Sequence, residues 1–211
     1  MSGLAERRLY CCTPNRADLA SFVGKIIDGG VDLIQLRAKD LEARALLEAA
    51  ARCQAVCADR GVPFIMNDRP DLALELGADG VHVGQDDAPV ALCRRILGPD
   101  AIVGLSTHAS AELAEALAED VTYLSAGPVV ATPTKPGRPG TGTGYVTSAV
   151  RASPWPVWVT GGVDPDSVGE LVDAGASHFV VVRWLVDAED PEAAARLLRG
   201  RIDALLEDRA G

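Results

Sequence analysis

The chain has 211 residues, 48% of them hydrophobic, and a formal net charge of −10. That length and apolar content suit one domain with a substantial core, while the acidic balance and an aromatic content of 4% argue against a basic nucleic-acid face or a base-stacking platform. No apolar run approaches the roughly 18 residues of a membrane span. The start, Met1-Ser-Gly-Leu-Ala-Glu-Arg-Arg-Leu, lacks the basic, apolar and small-residue regions of a secretion signal, so a cytoplasmic setting is expected.

Short apolar runs predict strands at Leu9–Thr13, Asp32–Arg37, Pro63–Asn67, Gly80–Gly84, Ile102–Thr107, Tyr123–Gly127, Val157–Thr160 and His178–Arg183. Alanine- and leucine-rich segments of helical period lie between them, among them Leu41–Asp59 and Ala111–Ala118. The last, Pro191–Leu206, opens on an acidic turn. Apolar strands alternating with helices signal a parallel sheet covered on both faces. A weak repeat, Gly29-Gly-Val-Asp-Leu, Gly77-Ala-Asp-Gly-Val and Gly175-Ala-Ser-His-Phe, suits one helix-to-strand turn reused around a ring. Eight such units predict an α/β fold, a (β/α)8 TIM barrel spanning residues 1–211 as one catalytic domain. The structural alternative is an open doubly wound sheet, although the usual glycine-rich turn after the first strand is missing.

In such a barrel the site lies at the carboxyl ends of the strands, and polar residues gather there. Strand two ends Gln35-Leu-Arg-Ala-Lys39, where alternation sends Gln35, Arg37 and Lys39 to one side. An anionic ligand or an internal ion pair would satisfy them. Strand three ends Asn67-Asp68, and strand four is followed by Gly84-Gln-Asp-Asp87. Asp68 and Asp87 would face each other across neighbouring strand ends about 5 Å apart, an oxygen pair suited to Mg²⁺. Asp86 is the other candidate ligand, and capping of the next helix is the alternative use of the acidic pair. Ser106 and His108 close strand five as possible donors, whereas His82 reads as a satisfied interior position and His178 falls at the opposite end of the barrel.

Beyond strand six comes Ala131-Thr-Pro-Thr-Lys-Pro-Gly137, in which Pro133 and Pro136 stiffen the backbone. Thr132, Thr134 and Lys135 then present two hydroxyls and an ammonium, a clamp for a phosphorylated ligand or else a stiff turn. Gly161-Gly162 after strand seven permits close approach of the backbone to an anion. Only three of the twenty basic residues are lysines, and Lys39 and Lys135 are two of them. The five cysteines have no CxxC pair and read as buried thiols of a reducing compartment.

Taken in order from residue 9 to 187, these motifs resemble the thiamine-phosphate synthase family. Gly80-Val-His-Val-Gly-Gln-Asp-Asp87, Gly104-Leu-Ser-Thr-His108 and Gly127-Pro128 complete the set. The resemblance implies a Mg²⁺-dependent transferase that joins 4-amino-2-methyl-5-hydroxymethylpyrimidine diphosphate to 4-methyl-5-(2-hydroxyethyl)thiazole phosphate, giving thiamine phosphate and pyrophosphate. It implies that Gln35, Leu36, Arg37, Ala38, Lys39, Asn67, Ser106 and Lys135 bind the pyrimidine diphosphate, with Arg37, Lys39 and Lys135 stabilising the leaving group. Asp68 and Asp87 would hold Mg²⁺. The Thr132-Pro133-Thr134 segment and the backbone at Gly162, Val182 and Arg183 would hold the thiazole phosphate. Val182-Arg183 departs from the family's usual Val-Ser, and Thr141-Gly-Thr-Gly144 is looser than its pattern. The expected partners are phosphorylated small molecules, with neither nucleic acid nor membrane, and homo-oligomerisation is left open. The rivals are a thiazole tautomerase on the same barrel and a non-catalytic ligand-binding barrel.

Overall fold

A computed structural model describes residues 3–132 and 139–210. A short 3₁₀ turn, Leu4–Glu6, precedes eight strands: β1 (Leu9–Thr13), β2 (Leu33–Leu36), β3 (Phe64–Asn67), β4 (Gly80–Val83), β5 (Ile102–Thr107), β6 (Tyr123–Ala126), β7 (Val157–Thr160) and β8 (His178–Val181). They pair in parallel in sequence order, and β8 closes on β1. The sheet is therefore the closed (β/α)8 barrel, not the open doubly wound alternative. The helices are α1 (Leu19–Asp28), α2 (Ala43–Asp59), α3 (Pro70–Leu76), α4 (Val90–Leu97), α5 (Ser110–Ala116), α6 (Gly142–Ala152), α7 (Val168–Asp173), α8 (Arg183–Val186) and α9 (Pro191–Ala210).

The predicted strands agree with these to within two residues at either end. The differences fall at strand ends, for example at Asp32 and Pro63 before β2 and β3 and at Arg37 and Gly84 after β2 and β4, and the latter two line the cavity.

Alternation along each strand divides the core into two shells. Ile34, Leu36, Phe64, Met66, Val81, Val83, Leu124 and Phe179 point outward onto the helices. Tyr10, Leu33, Ile65, Ile102, Tyr123, Trp158 and Val180 fill the barrel interior, and Leu4 of the 3₁₀ turn adds to that cluster. The interior is graded. Large apolar and aromatic rings occupy the amino-terminal half, whereas the next inward positions toward the carboxyl ends are Gln35, His82, Ser106, Ser125 and Thr160. Packing thus seals one end and leaves a polar bowl at the other.

Candidate active site

The bowl is a cavity of about 280 Å³ lined by Gln35, Arg37, Lys39, Asn67, Asp68, Asp87, Ser106 and His108, among others. Alternation on β2 delivers what the sequence predicts: Gln35, Arg37 and Lys39 share the cavity side. Leu36 and Ala38 do not. Their side chains are buried in the outer shell against the helices, so only their backbone is left for a ligand. Arg37 continues the β1–β2 ladder through its amide, which donates to the Thr13 carbonyl at 2.8 Å.

The two predicted metal carboxylates meet. Asp68 stands just past β3 with φ of +59°, a left-handed conformation that aspartate tolerates better than most side chains. Its amide donates to the His82 carbonyl at 2.8 Å, which fixes the turn. Its Oδ2 receives Lys39 Nζ at 2.7 Å. Burial, and then the neighbouring Asp87 carboxyl, push its pKa above the usual carboxylate range against the pull of Lys39. Asp87 does not cap α4: the residue before that helix is Pro89, with no side-chain cap. Instead Asp87 Oδ2 accepts the Gly84 amide at 2.8 Å, folding the loop so that the carboxylate turns toward Asp68. Asp86 is exposed and lies outside the lining, which separates the two candidates. The described residues contain no cluster of three or more His, Cys, Asp or Glu placed for a metal. What the site offers is two hard carboxylate oxygen groups, a donor set that fits Mg²⁺ with phosphate oxygens and water completing its shell.

A second cavity of about 250 Å³ adjoins the first, sharing the wall formed by Thr160, Val180 and Val182. Thr132, Gly161, Gly162 and Arg183 line it. Gly161 and Gly162 have φ of +94° and +82°, and a Cβ on either would come within 2.5 Å of Pro128 or Val130. Only glycine allows this turn, and it leaves the backbone open to an anion. Ser167 Oγ donates to the Gly162 carbonyl at 2.6 Å and so orients the turn. After β6, Val129 N donates to Thr160 O (2.8 Å), while Thr141 N and Gly142 N donate to Pro128 O (2.8 Å) and Val129 O (3.0 Å). The Thr141–Gly144 stretch is thus pinned where α6 begins. Pro133, Thr134 and Lys135 lie outside the described residues.

His108 lines the first cavity, with Nδ1 2.9 Å from Glu112 Oε2 and its amide donating to the same oxygen at 2.7 Å. It is a lip residue held by the first turn of α5.

The thiamine monophosphate synthase family matches residues 9–185. A thiamine-phosphate synthase of Mycobacterium sp. (strain KMS) is 46% identical over 96% of this chain and 94% of its own. One from Thermus thermophilus is 49% identical over 84% of this chain and 86% of its own. The chain belongs to the thiamine monophosphate synthase family. It is accordingly an enzyme, a transferase of thiamine biosynthesis. Among solved structures, a thiamine phosphate pyrophosphorylase from Pyrococcus furiosus superposes with a TM-score of 0.86 at 28% identity, covering 94% of this chain and 96% of that one.

Within this family frame, several lining residues went unpredicted: Tyr10, Cys12, Ser125, Thr160 and Val180. The signal was available for Ser125, which stands two residues after Tyr123 and so faces the same way. It was hidden because β6 reads as one apolar run. Tyr10 and Cys12 sit inside a strand that carries no charge.

Proposed function

We propose that this chain condenses 4-amino-2-methyl-5-hydroxymethylpyrimidine diphosphate with 4-methyl-5-(2-hydroxyethyl)thiazole phosphate, releasing pyrophosphate and forming thiamine phosphate. The observation that carries this reading is the pair of cavities sharing one wall. One has cations and paired carboxylates suited to a diphosphate, the other a glycine turn suited to a monophosphate. Two such subsites in contact are what a two-substrate joining reaction needs, because positioning removes much of the entropic barrier.

The pyrimidine methylene–oxygen bond breaks first, its electron pair leaving with pyrophosphate. The thiazole nitrogen then donates its lone pair to the methylene carbon, so no protein nucleophile takes part. Arg37, Lys39 and Lys135 hold the oxygens on which negative charge accumulates. Asp68 and Asp87 would hold Mg²⁺, which when bound supplies further positive charge to the diphosphate. Gln35, Asn67 and Ser106 orient the pyrimidine. Thr132, Thr134, Gly162 and the amides at Val182 and Arg183 seat the thiazole phosphate, a backbone contact that tolerates arginine in place of the family's serine. None of the five cysteines is in a disulfide, and reduced thiols support a cytoplasmic setting. Among the described residues no helix is long and apolar enough to cross a membrane.

The test is pyrophosphate release with each substrate alone and with both, with and without Mg²⁺. Release that requires both substrates and the metal is the expected result. Tight binding of either ligand without release would move the reading to a binding protein.

A further inference from the structure

A continuous file of side-chain hydrogen bonds crosses the barrel beneath the first cavity. Cys12 Sγ donates to Gln35 Oε1 at 3.2 Å, and Gln35 Nε2 donates to the Tyr10 hydroxyl. The Tyr10 and Tyr123 hydroxyls are 3.0 Å apart. Tyr123 Oη is 2.9 Å from His82 Nδ1, and His82 Nε2 is 2.8 Å from Ser106 Oγ. The file is built into the fold. A Cβ on Gly104 would meet the Tyr123 ring at 2.1 Å and His82 Nδ1 at 2.6 Å, so the file exists only because β5 carries glycine there.

We infer that this file has a single donor direction, set at Gln35, and that Tyr10, Tyr123 and His82 are positioning residues that fix Ser106 as a hydrogen-bond donor to an aromatic ring nitrogen of the substrate. The proton count runs in one sense. An amide nitrogen cannot accept, so Tyr10 accepts from Gln35 and its own proton goes to Tyr123. Tyr123 therefore gives its proton to His82 Nδ1, and the imidazole keeps its proton on Nε2, where Ser106 Oγ accepts it. The Ser106 proton then has no other acceptor among the described residues and is available to the cavity, which Ser106 lines. Both phenols carry the one proton this requires, because burial holds them well above their ordinary ionisation range. Gln35, where the direction is set, and Ser106, where it ends, stand three strands apart around the bowl, on β2 and β5. Their hydrogen-bonding roles are thereby coupled through the barrel interior and do not depend on solvent. The ligand chemistry rests on the pyrimidine occupying this cavity, as proposed above; the donor direction does not.

The chain has three histidines, so long-range ¹H–¹⁵N correlation on ¹⁵N-histidine-labelled full-length protein resolves each ring, with His108→Asn and His178→Asn assigning His82 by difference. The expected state of His82 is protonated Nε2 and bare Nδ1. A proton on Nδ1, or on both nitrogens, overturns the proposal. Tyr123→Phe should release the ring to a mixture of tautomers. It should also raise KM for the pyrimidine diphosphate roughly tenfold, the order of one lost hydrogen bond, with KM for the thiazole phosphate changed by less than about twofold. Tyr10→Phe, which keeps every ring in place, serves if Tyr123→Phe folds poorly. An unchanged KM for the pyrimidine overturns the positioning role. If the wild-type protein releases no pyrophosphate, the functional reading falls, while the tautomer still decides the file.

Discussion

The two ends of this barrel carry similar side chains and use them in opposite ways. At the amino-terminal end, Asp32 accepts the amides of Arg8 (2.9 Å to Oδ2) and Leu9 (3.0 Å to Oδ1) and the guanidinium of Arg199 at 2.8 Å. Arg199 in turn donates to Asp203 and to the Gly30 carbonyl. Asp79 accepts the amide of Phe64 at 2.8 Å, and Thr122 that of Val103 at 3.0 Å. These groups complete strand starts, and each is spent on backbone. At the carboxyl-terminal end, Asp68 sits in a left-handed conformation beside a second carboxylate, with Lys39 bridging to it from half-exposed surroundings. Such placement contributes little stability. A charged residue in a barrel is therefore best judged by what satisfies it and where it faces: the structural set ends on strand-start main chain, while Asp68, Asp87 and Lys39, partly satisfied by one another and by the Gly84 amide, face the cavity.

The largest effect that tests this contrast is expected at Asp68. Asp68→Asn removes the charge but keeps a side chain that tolerates the left-handed backbone, so turnover should fall on the order of 10³-fold while the thermal midpoint moves by no more than about 2 °C. Steady-state pyrophosphate release and a melting curve on the same sample give both numbers. Loss of stability in step with activity would erase the contrast. Asp32→Ala should do the reverse. It strands two strand-start amides and Arg199, a cost of about 2–4 kcal/mol readable by urea denaturation, with kcat of the remaining folded protein changed little.

The smallest effect concerns pH and belongs to the closed end. Burial, then Arg8, lowers the His178 pKa from its ordinary 6.5 to about 4. The folded state therefore keeps this imidazole neutral, while the unfolded chain takes up a proton as pH falls below its own value. Its contribution is complete above about pH 6.5 and declines as pH falls toward 4, by up to about 3 kcal/mol. The difference in unfolding free energy between wild type and His178→Asn, followed across that window, should narrow as pH falls. A difference independent of pH would show that His178 is not the group responsible.

Much of this was legible in the residues. The strands could be located because buried parallel strands are apolar throughout, and the cavity-facing set on β2 because alternation has a period of two. The pairing of Asp68 with Asp87 followed from adjacency of β3 and β4, a consequence of strand order. Leu36 and Ala38 were grouped with their neighbours because a motif names consecutive residues, whereas a strand turns only every second side chain toward a ligand. Which of Asp86 and Asp87 turns toward the cavity depended on the Gly84 amide, which holds Asp87 inward. The ring of eight units and the chemistry gathered at one end could be read without coordinates, since periodicity and turn residues are local properties. The shared wall between two cavities could not, and neither could the joining of Gln35 to Ser106 through two tyrosines and a histidine. Those contacts span the barrel, between residues as many as 113 positions apart, and depend on which side chains close packing brings face to face.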